Sequence, residues 1–184
     1  VEHGLFEWAG AQARIDRAML MEMGSLGLIG VDLPEQYGGL GESSATAGII
    51  IEQIAHGDFN ASYVQLLASL MGGMIAQHAS PDIARQWLPR VARGEAIIGL
   101  GLTEPRGGSD AANLVLRAAK SGNGYRLHGQ TSSISFSVQF DPAVIFALHV
   151  RPAVCARGTP RFLVAFTPPR LPPTPFYDSS PTPL

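Results

Sequence analysis

The chain has 184 residues, 46% of them hydrophobic, and its 13 basic and 15 acidic residues leave a formal net charge of −2. These values fit one globular domain or two small ones, and nothing in them indicates the strongly basic surface of nucleic-acid-binding proteins. A single cysteine, Cys155, excludes an internal disulfide, and every apolar run is shorter than the roughly 20 residues of a membrane span. We therefore expect a cytoplasmic protein with no membrane span and no nucleic-acid partner.

Apolar residues recur at helical spacing through the first half of the chain, which predicts an all-α domain over residues 1–95. Residues 15–23 carry an apolar residue at every fourth position and indicate a first helix. Isoleucines within 50–54 mark a second helix, which we expect to end with Gly57 in the left-handed conformation. Between these two helices, the glycine-rich segment PEQYGGLG at 34–41 predicts a structured turn or a lid.

Two further helices follow in the same half. Asn60 is a candidate N-cap for the third helix, which looks central because apolar residues step along it by three and four positions. The glycine pair at 72–73 would let another helix approach it closely. A Ser-Pro pair at 80–81 predicts the start of a fourth helix, and Pro89 is expected to break or kink that helix.

Short segments rich in β-branched and aromatic residues replace the helical pattern after Glu95 and predict a β domain over 96–167. The segments at 113–120 and 124–129 flank the turn SGNG and predict a β-hairpin. Residues 132–138, SSISFSV, alternate apolar and polar side chains as a half-buried strand does. More deeply buried strands are predicted at 143–150 and 161–166.

The order of these elements indicates an α+β multidomain fold, in which an all-α domain precedes an antiparallel β-barrel or sandwich-like domain. Residues 168–184 contain seven prolines and predict an extended or disordered tail, because proline cannot donate a backbone hydrogen bond to a sheet.

Three kinds of site find little support in the sequence. The five histidines lack the spacing of metal ligands, so no metal site is expected. Ser109 does not lie in a hydrolase nucleophile elbow, because Ala111 stands where that motif has glycine. Gly99 and Gly101 lack the third glycine of a dinucleotide-binding fingerprint.

The segment GLTEPRGGSD at 101–110 is the most polar stretch between two apolar segments of the β half. A polar loop on a buried scaffold is a usual place for ligand binding. The same residue types also make ordinary surface turns, so composition alone leaves both interpretations open.

The order of residues in this segment resembles that of the acyl-CoA dehydrogenase family. Three other stretches share the resemblance: LGLIGVDLPEQYGGLG at 26–41, QWLPRVARGEAIIGLGLTEP at 86–105 and GNGYRLHGQTSSISFS at 122–137. The first is similar to the signature of that family's N-terminal helical domain, and the other two to its middle β domain. The resemblance extends to about Phe166.

The resemblance implies an FAD-dependent oxidoreductase that carries out α,β-dehydrogenation of an acyl-CoA thioester. By similarity, Thr103 would hydrogen-bond the flavin ring and the backbone from Leu100 to Leu102 would line it. Gly108 and Ser109 would lie by the phosphates of the cofactor, and Ser109 would also contact the acyl thioester.

Three positions depart from the family pattern. Ser133 falls where the family usually has a bulky aromatic beside the flavin, Thr131 replaces a commonly basic residue, and Ser135 replaces a common threonine that faces the reactive flavin nitrogen. No catalytic residue is assigned, because many family members take their glutamate base from a C-terminal helical bundle that this sequence does not contain. For the nearest carboxylates, Glu104 and Asp110, we expect capping and turn roles.

The resemblance further implies an electron-transfer acceptor and either a homo-oligomer or a complementing chain as partners, and the chain alone is expected to be weakly active or inactive. Two alternatives stay open. One is a non-catalytic remnant or interaction module whose proline-rich tail recruits a partner. The other is a flavin-dependent monooxygenase on the same fold.

Overall fold

The computed structural model describes residues 15–122, 124–136 and 139–149. Within these ranges four α-helices precede five short strands. The helices are α1 (Arg17–Ser25), α2 (Ser44–Gly57), α3 (Phe59–His78) and α4 (Pro81–Ala92). The strands are β1 (Gly99–Gly101), β2 (Arg117–Ser121), β3 (Gly124–His128), β4 (Ala143–Ile145) and β5 (Leu148–His149). Cys155, the predicted strand at 161–166 and the predicted tail at 168–184 lie outside the described residues.

The junction between α2 and α3 differs from the prediction at both of its ends. Gly57 is the last residue of α2, but it is not left-handed, and the extended Asp58 (φ −152°) turns the chain instead. The Asp58 carboxylate then accepts hydrogen bonds from the N–H groups of Asn60 (2.7 Å) and Ala61 (3.1 Å). A carboxylate also interacts favourably with the positive end of a helix. Asp58, and not Asn60, is therefore the N-cap of α3.

Helix α3 is central, as predicted, because it packs against α2, α4 and β1. The glycine pair serves a different contact from the one expected. A Cβ on Gly72 would lie 2.9 Å from Cδ2 of Leu33, so the close neighbour is the loop before α2 and not another helix. A Cβ on Gly73 would meet no described atom within 4 Å.

Helix α4 begins where the sequence predicts, with the Ser80 hydroxyl accepting a hydrogen bond from the Ile83 N–H and Pro81 in the first turn. The predicted break at Pro89 is wrong, since the helix continues through it to Ala92. Pro89 lies in the last turn, and its buried neighbours Leu88 and Val91 hold that turn against the core.

The described strands form two small sheets, and an antiparallel barrel is not seen in this part of the chain. β1 pairs in parallel with β4, while β2 pairs antiparallel with β3 and in parallel with β5. The β2–β3 pairing confirms the predicted hairpin. The single strand expected over 143–150 is instead two short strands, β4 and β5, in different sheets.

The strand predicted at 132–138 is wrong for its described part, since residues 132–136 form irregular chain and a turn. Ser133 and Phe136 adopt left-handed backbone angles (φ 55° and 56°), which end any alternation of faces. Phe136 packs its ring against Tyr63 of α3, with 6.1 Å between ring centroids. Val138 lies outside the described residues.

Buried side chains from both halves form a shared core cluster, whose members include Leu20, Leu33, Leu67, Met71, Ile75, Leu88, Ile97, Ile98 and Val144. A smaller second cluster contains Leu116, Ala118 and Ala147. Arg17 at the start of α1 also joins the halves, with Nη1 2.9 Å from Oδ2 of Asp141. The same carboxylate oxygen accepts from the N–H of Ile97 at 3.0 Å. The polar segment at 101–110 thus lies on a helical half and a β half that pack against each other, while a boundary at 95/96 stays a prediction.

Candidate functional site

The polar loop emerges from the end of the buried strand β1. The strand pairs with β4 along one edge. Phe140 packs closely against Gly99 of the strand, since a Cβ on Gly99 would lie 2.9 Å from the Phe140 ring. Immediately after β1 the side chains of Leu102 and Thr103 are only half buried. We name residues 103–110 the site loop; within it Glu104 is buried, and the other residues are half-buried or exposed.

A tight turn doubles the site loop back on itself. The N–H of Gly107 donates to the carbonyl of Glu104 at 2.9 Å, and the N–H of Glu104 donates to the carbonyl of Gly107 at 3.3 Å. Gly107 has φ +140°, a conformation that other residues rarely adopt. The turn brings Gly108 against Thr103, since a Cβ on Gly108 would lie 3.1 Å from the Thr103 hydroxyl oxygen. Thr103, predicted to bind the flavin ring, and Gly108, predicted to lie by the phosphates of the cofactor, are therefore neighbours.

The segment 131–136 runs beside the start of the site loop. The N–H of Ser132 donates to the carbonyl of Thr103 at 2.8 Å. Ile134 packs beside Gly101, with Cδ1 3.7 Å from where a Cβ on that glycine would lie. Of the two predicted serines in this segment, Ser133 is exposed with a left-handed backbone and Ser135 is half-buried.

The remaining predicted residues take positions around this junction. Leu100 is a half-buried residue of β1, and Leu102 follows that strand directly. Ser109 is exposed and follows Gly108 on the outer part of the site loop. The structure thus brings Thr103, Gly108 and the segment 131–136 into contact, while Ser109 extends away toward solvent.

Several hydrogen-bonding groups at this junction have no partner among the described residues. They include the side-chain hydroxyls of Thr103, Ser109, Ser133 and Ser135. The N–H groups of Gly108 and Ser109 likewise donate to no described acceptor. A ligand with polar edges or an anionic group can use donors of this kind without first breaking a protein hydrogen bond.

Glu104 differs from these groups because its carboxylate is fully engaged. The side chain is buried, and its two oxygens accept from the N–H of Val115 at 2.9 and 3.0 Å and from the N–H of Leu116 at 2.7 Å. Asp110 accepts a bond from the side-chain amide of Asn113 at 2.7 Å. Asp110 thus stabilises the turn at 110–113, as expected, whereas the Glu104 side chain neither caps a helix nor closes a local turn, because it bonds residues 11 and 12 positions further along the chain.

Helix α3 has a second apolar face, not predicted from the sequence, that lies beside this junction. Tyr63 contacts Phe136 of the segment 131–136, and the same side of α3 exposes Phe59, Leu66 and Leu70. The signal was present in the sequence, since apolar residues at 59, 66 and 70 repeat at helical spacing on the side of α3 opposite its buried residues. The spacing of residues 64–75 predicts one apolar face, and α3 has two.

Within the described residues, no group of histidine, cysteine, aspartate and glutamate side chains could hold a metal ion. None of the described helices is long and apolar enough to cross a membrane.

The sequence matches the family model "Acyl-CoA dehydrogenase, N-terminal domain" over residues 2–95. It is 32% identical over 146 residues to glutaryl-CoA dehydrogenase of Desulfococcus multivorans, and the match covers 77% of this chain and 37% of that protein. It is 31% identical over 151 residues to the mitochondrial isovaleryl-CoA dehydrogenase of Pongo abelii, and the match covers 80% of this chain and 36% of that protein.

Solved structures give the same result. A glutaryl-CoA dehydrogenase from Mycobacterium smegmatis superimposes with a TM-score of 0.70 and 34% identity, over 78% of this chain and 37% of that chain. The structure of a glutaryl-CoA dehydrogenase from the same organism in complex with FADH2 superimposes with a TM-score of 0.68 and 30% identity, over 73% of this chain and 35% of that chain. The chain thus spans little more than a third of the length of these relatives. Because the family model covers half of the sequence and the relatives match across both halves, this chain belongs to the acyl-CoA dehydrogenase family.

Proposed function

We propose that this chain carries the N-terminal helical and middle β domains, residues 1–95 and 96–167, of an FAD-dependent acyl-CoA dehydrogenase. The reaction is α,β-dehydrogenation of an acyl-CoA thioester. One observation carries the proposal: the site loop brings Thr103 and Gly108 together beside the segment 131–136, where hydroxyl and N–H groups have no described partner.

The residues at this junction fit a flavin nucleotide. A flavin ring has polar edges that exchange hydrogen bonds, and its pyrophosphate is anionic. The hydroxyls of Thr103, Ser133 and Ser135 would hydrogen-bond the ring. The backbone from Leu100 to Leu102 would line one side of that ring.

The outer part of the site loop fits the phosphates of the same cofactor. The N–H groups of Gly108 and Ser109 are donors, and Gly108 lacks a Cβ that would hold a ligand away from Thr103. When bound, the flavin supplies the two-electron redox chemistry. The residues of this chain bind the cofactor, orient it and exclude water from one side of it.

The acyl-CoA substrate would lie between the site loop and α3. Ser109 would contact the thioester, as the family resemblance implies. The exposed apolar side chains of Phe59, Leu66 and Leu70 would take the acyl chain, because burying apolar surface contributes about 25 cal/mol per Å². The Tyr63–Phe136 contact connects that face of α3 to the proposed flavin side of the site.

We assign removal of the α-proton to no residue of this chain. Glu104 is unsuited to it, because the carboxylate is buried and both oxygens accept backbone N–H groups. The base and the second wall of the site would come from a region equivalent to the part of the relatives that this chain does not match. An electron-transfer acceptor, a homo-oligomer or complementing chain, and a cytoplasmic location belong to the same proposal.

The test is to co-express this chain with the remainder of the Desulfococcus multivorans relative and to purify the complex under mild conditions. We expect a yellow complex whose visible flavin absorbance is bleached when an acyl-CoA is added without oxygen. Glu52→Gln, an exposed change on α2, is the matched control and should behave as the wild type.

A colourless folded complex would contradict the proposal and favour an interaction module. A yellow complex that no acyl-CoA bleaches, but that consumes oxygen once its flavin is reduced, would favour a monooxygenase.

A further inference from the structure

Glu104 is a buried acidic residue, and its carboxylate hydrogen-bonds backbone groups of a different segment of the chain. Its side chain is 3% exposed, and its carboxylate spans from the start of the site loop to the segment that leads into β2. Three contacts of 2.7 to 3.0 Å join it to the N–H groups of Val115 and Leu116. Hydrogen bonds to a carboxylate are shorter and stronger than bonds between neutral groups.

These bonds connect the start of the site loop to the segment that follows it. Glu104 follows Thr103 directly, and its backbone N–H and carbonyl hold Gly107 through the turn described above. Its carboxylate holds residues 115 and 116, so the ten residues 105–114 are closed into a loop by this one side chain. The positions of Thr103 on one side and Gly108 on the other therefore depend on Glu104.

We propose that Glu104 is a positioning residue for the flavin and acyl-CoA site, because its buried carboxylate fixes the site loop in the shape that brings Thr103 and Gly108 together. The inference rests on the proposed function and deepens it, since it assigns a residue that organises the same site without touching the ligand. Preorganised donors bind a ligand more tightly because less ordering is left to binding.

The geometry explains why a carboxylate suits this position better than its isosteres. In Glu104→Gln the amide oxygen can keep the place of Oε1 and accept from Val115 and Leu116. The amide nitrogen then replaces Oε2, 3.0 Å from the Val115 nitrogen, and sets one donor against another. In Glu104→Ala both N–H groups lose their acceptor, so the loop should be released more completely.

The experiment uses the full chain together with the complementing polypeptide described above. Hydrogen exchange at Val115 and Leu116 and tryptic cleavage after the exposed Arg106 report whether the loop is released. FAD titration by flavin fluorescence reports the site, and thermal unfolding reports the fold. Glu52→Gln is again the matched control.

We expect Glu104→Gln to raise amide exchange at residues 115 and 116 and to weaken FAD binding about tenfold, a factor equivalent to 1.4 kcal/mol. The unfolding midpoint should change little. Glu104→Ala should have a larger effect on every readout, and if it fails to fold, Glu104→Gln alone decides the matter.

A double-mutant cycle separates positioning from a general loss of structure. Thr103→Val should weaken FAD binding in the wild-type background and clearly less in the Glu104→Gln background, because the hydroxyl is then already misplaced. Equal effects in the two backgrounds would overturn the inference. Unchanged FAD affinity in Glu104→Gln, with a wild type that binds FAD, would overturn it as well while leaving the proposed function intact. A wild type that binds no FAD would overturn the proposed function and the inference together.

Discussion

Two glycine-bearing polar loops of this chain have similar compositions and opposite surroundings. Residues 31–42 in the helical half pack against the core, and a Cβ on Gly39 would lie 2.1 Å from the carbonyl oxygen of Leu33. In the site loop, a Cβ on Gly107 would meet nothing within 4 Å, and nearby hydroxyls have no described partner. Composition identifies both as loops. Only the surroundings separate a loop that serves packing from one that suits a ligand.

The two loops are also fastened by different kinds of group. Loop 31–42 is closed by two backbone hydrogen bonds, from Gly41 to Leu33 (2.9 Å) and from Glu42 to Val31 (3.1 Å). Its base is held by the fully buried Gln65 of α3. The site loop is held by the Glu104 carboxylate. A change in the first loop should therefore affect the stability of the fold, and a change in the second should affect ligand affinity.

The largest expected effect is that of Gly39→Ala. The new Cβ would clash with backbone atoms of Leu33, which cannot move without breaking the bond from Gly41. We expect a loss of about 3 kcal/mol in the free energy of unfolding, at the upper end of overpacking effects. Urea unfolding followed by tryptophan fluorescence measures it.

Gly48→Ala is the matched control for that change. Gly48 lies within α2, and its Cβ would meet nothing within 4 Å. Alanine should stabilise the helix by about 0.5 to 1 kcal/mol. If Gly39→Ala behaved like Gly48→Ala, the distinction between a packed loop and an open loop would be wrong.

The next effect in size is that of Gln65→Leu. The Gln65 side-chain oxygen accepts from the N–H of Gly30 at 2.6 Å, and its nitrogen donates to the Ser69 hydroxyl at 3.1 Å. Leucine fills a similar volume and leaves the buried N–H of Gly30 without an acceptor, which costs about 2 kcal/mol. The free energy of unfolding should fall by that amount while FAD affinity is retained.

Ser69→Ala is the milder comparison for Gln65→Leu. It keeps the bond from Gly30 to Gln65 but removes the Ser69 hydroxyl, which accepts from the Gln65 side-chain nitrogen at 3.1 Å and donates to Asp32 at 2.6 Å, and it should cost about 1 kcal/mol. An equal loss in both variants would mean that the bond to Gly30 is not what fastens loop 31–42.

The accuracy of the sequence predictions differs between the halves for a physical reason. The helices of the first half repeat every 3.6 residues, so their faces and caps are encoded locally, as at Ser80. The errors there concern single positions, such as Asp58 in place of Asn60 as N-cap, the break expected at Pro89 and the neighbour of Gly72. In the β half the alternation of residues 132–136 predicted a strand, but a tertiary contact decided the outcome when Phe136 packed on Tyr63.

The site divides in the same way. The residues of the site loop could be named from the sequence because their order resembles a known family. The buried bonds of Glu104 to Val115 and Leu116 could not be predicted, because they join residues 11 and 12 positions apart through a turn whose shape local propensity does not determine.

Gly108→Ala should have a small effect on stability and a larger effect on the site. The new Cβ would lie 3.1 Å from the Thr103 hydroxyl, a side-chain atom that can move aside, so unfolding should change by less than about 1 kcal/mol. Displacing that hydroxyl should weaken FAD binding about tenfold. Flavin fluorescence titration of the complemented chain measures the change.

Gly124→Ala in β3 is the matched control for Gly108→Ala, since its Cβ meets nothing within 4 Å and should leave FAD binding unchanged. A loss of stability in Gly108→Ala as large as that in Gly39→Ala would show that the site loop is packed like loop 31–42.

The smallest effect on stability is expected at the Arg93–Glu95 pair, which lies between the two loops in the sequence. The Arg93 guanidinium donates to both Glu95 oxygens, at 2.7 and 3.1 Å, and these hydrogen bonds hold the pKa of the Glu95 carboxyl below its ordinary value of 4.5. A carboxyl whose pKa is lowered by folding stabilises the fold above its unfolded-state pKa, and that contribution is lost as the pH falls through the folded-state value. Because the pair is exposed, the contribution is small and screened by salt.

Glu95→Gln should therefore be slightly less stable than the wild type at pH 7 and equal to it once the pH is well below 4.5. Urea unfolding at both pH values, with and without added sodium chloride, measures the difference. FAD affinity should not change, because Glu95 touches neither loop through a described side-chain bond. Glu95 lies in the segment between α4 and β1. If Glu95→Gln weakened FAD binding as strongly as Glu104→Gln, the shape of the site loop would depend on that segment. The two loops would then be coupled through it, and the contrast between them would be wrong.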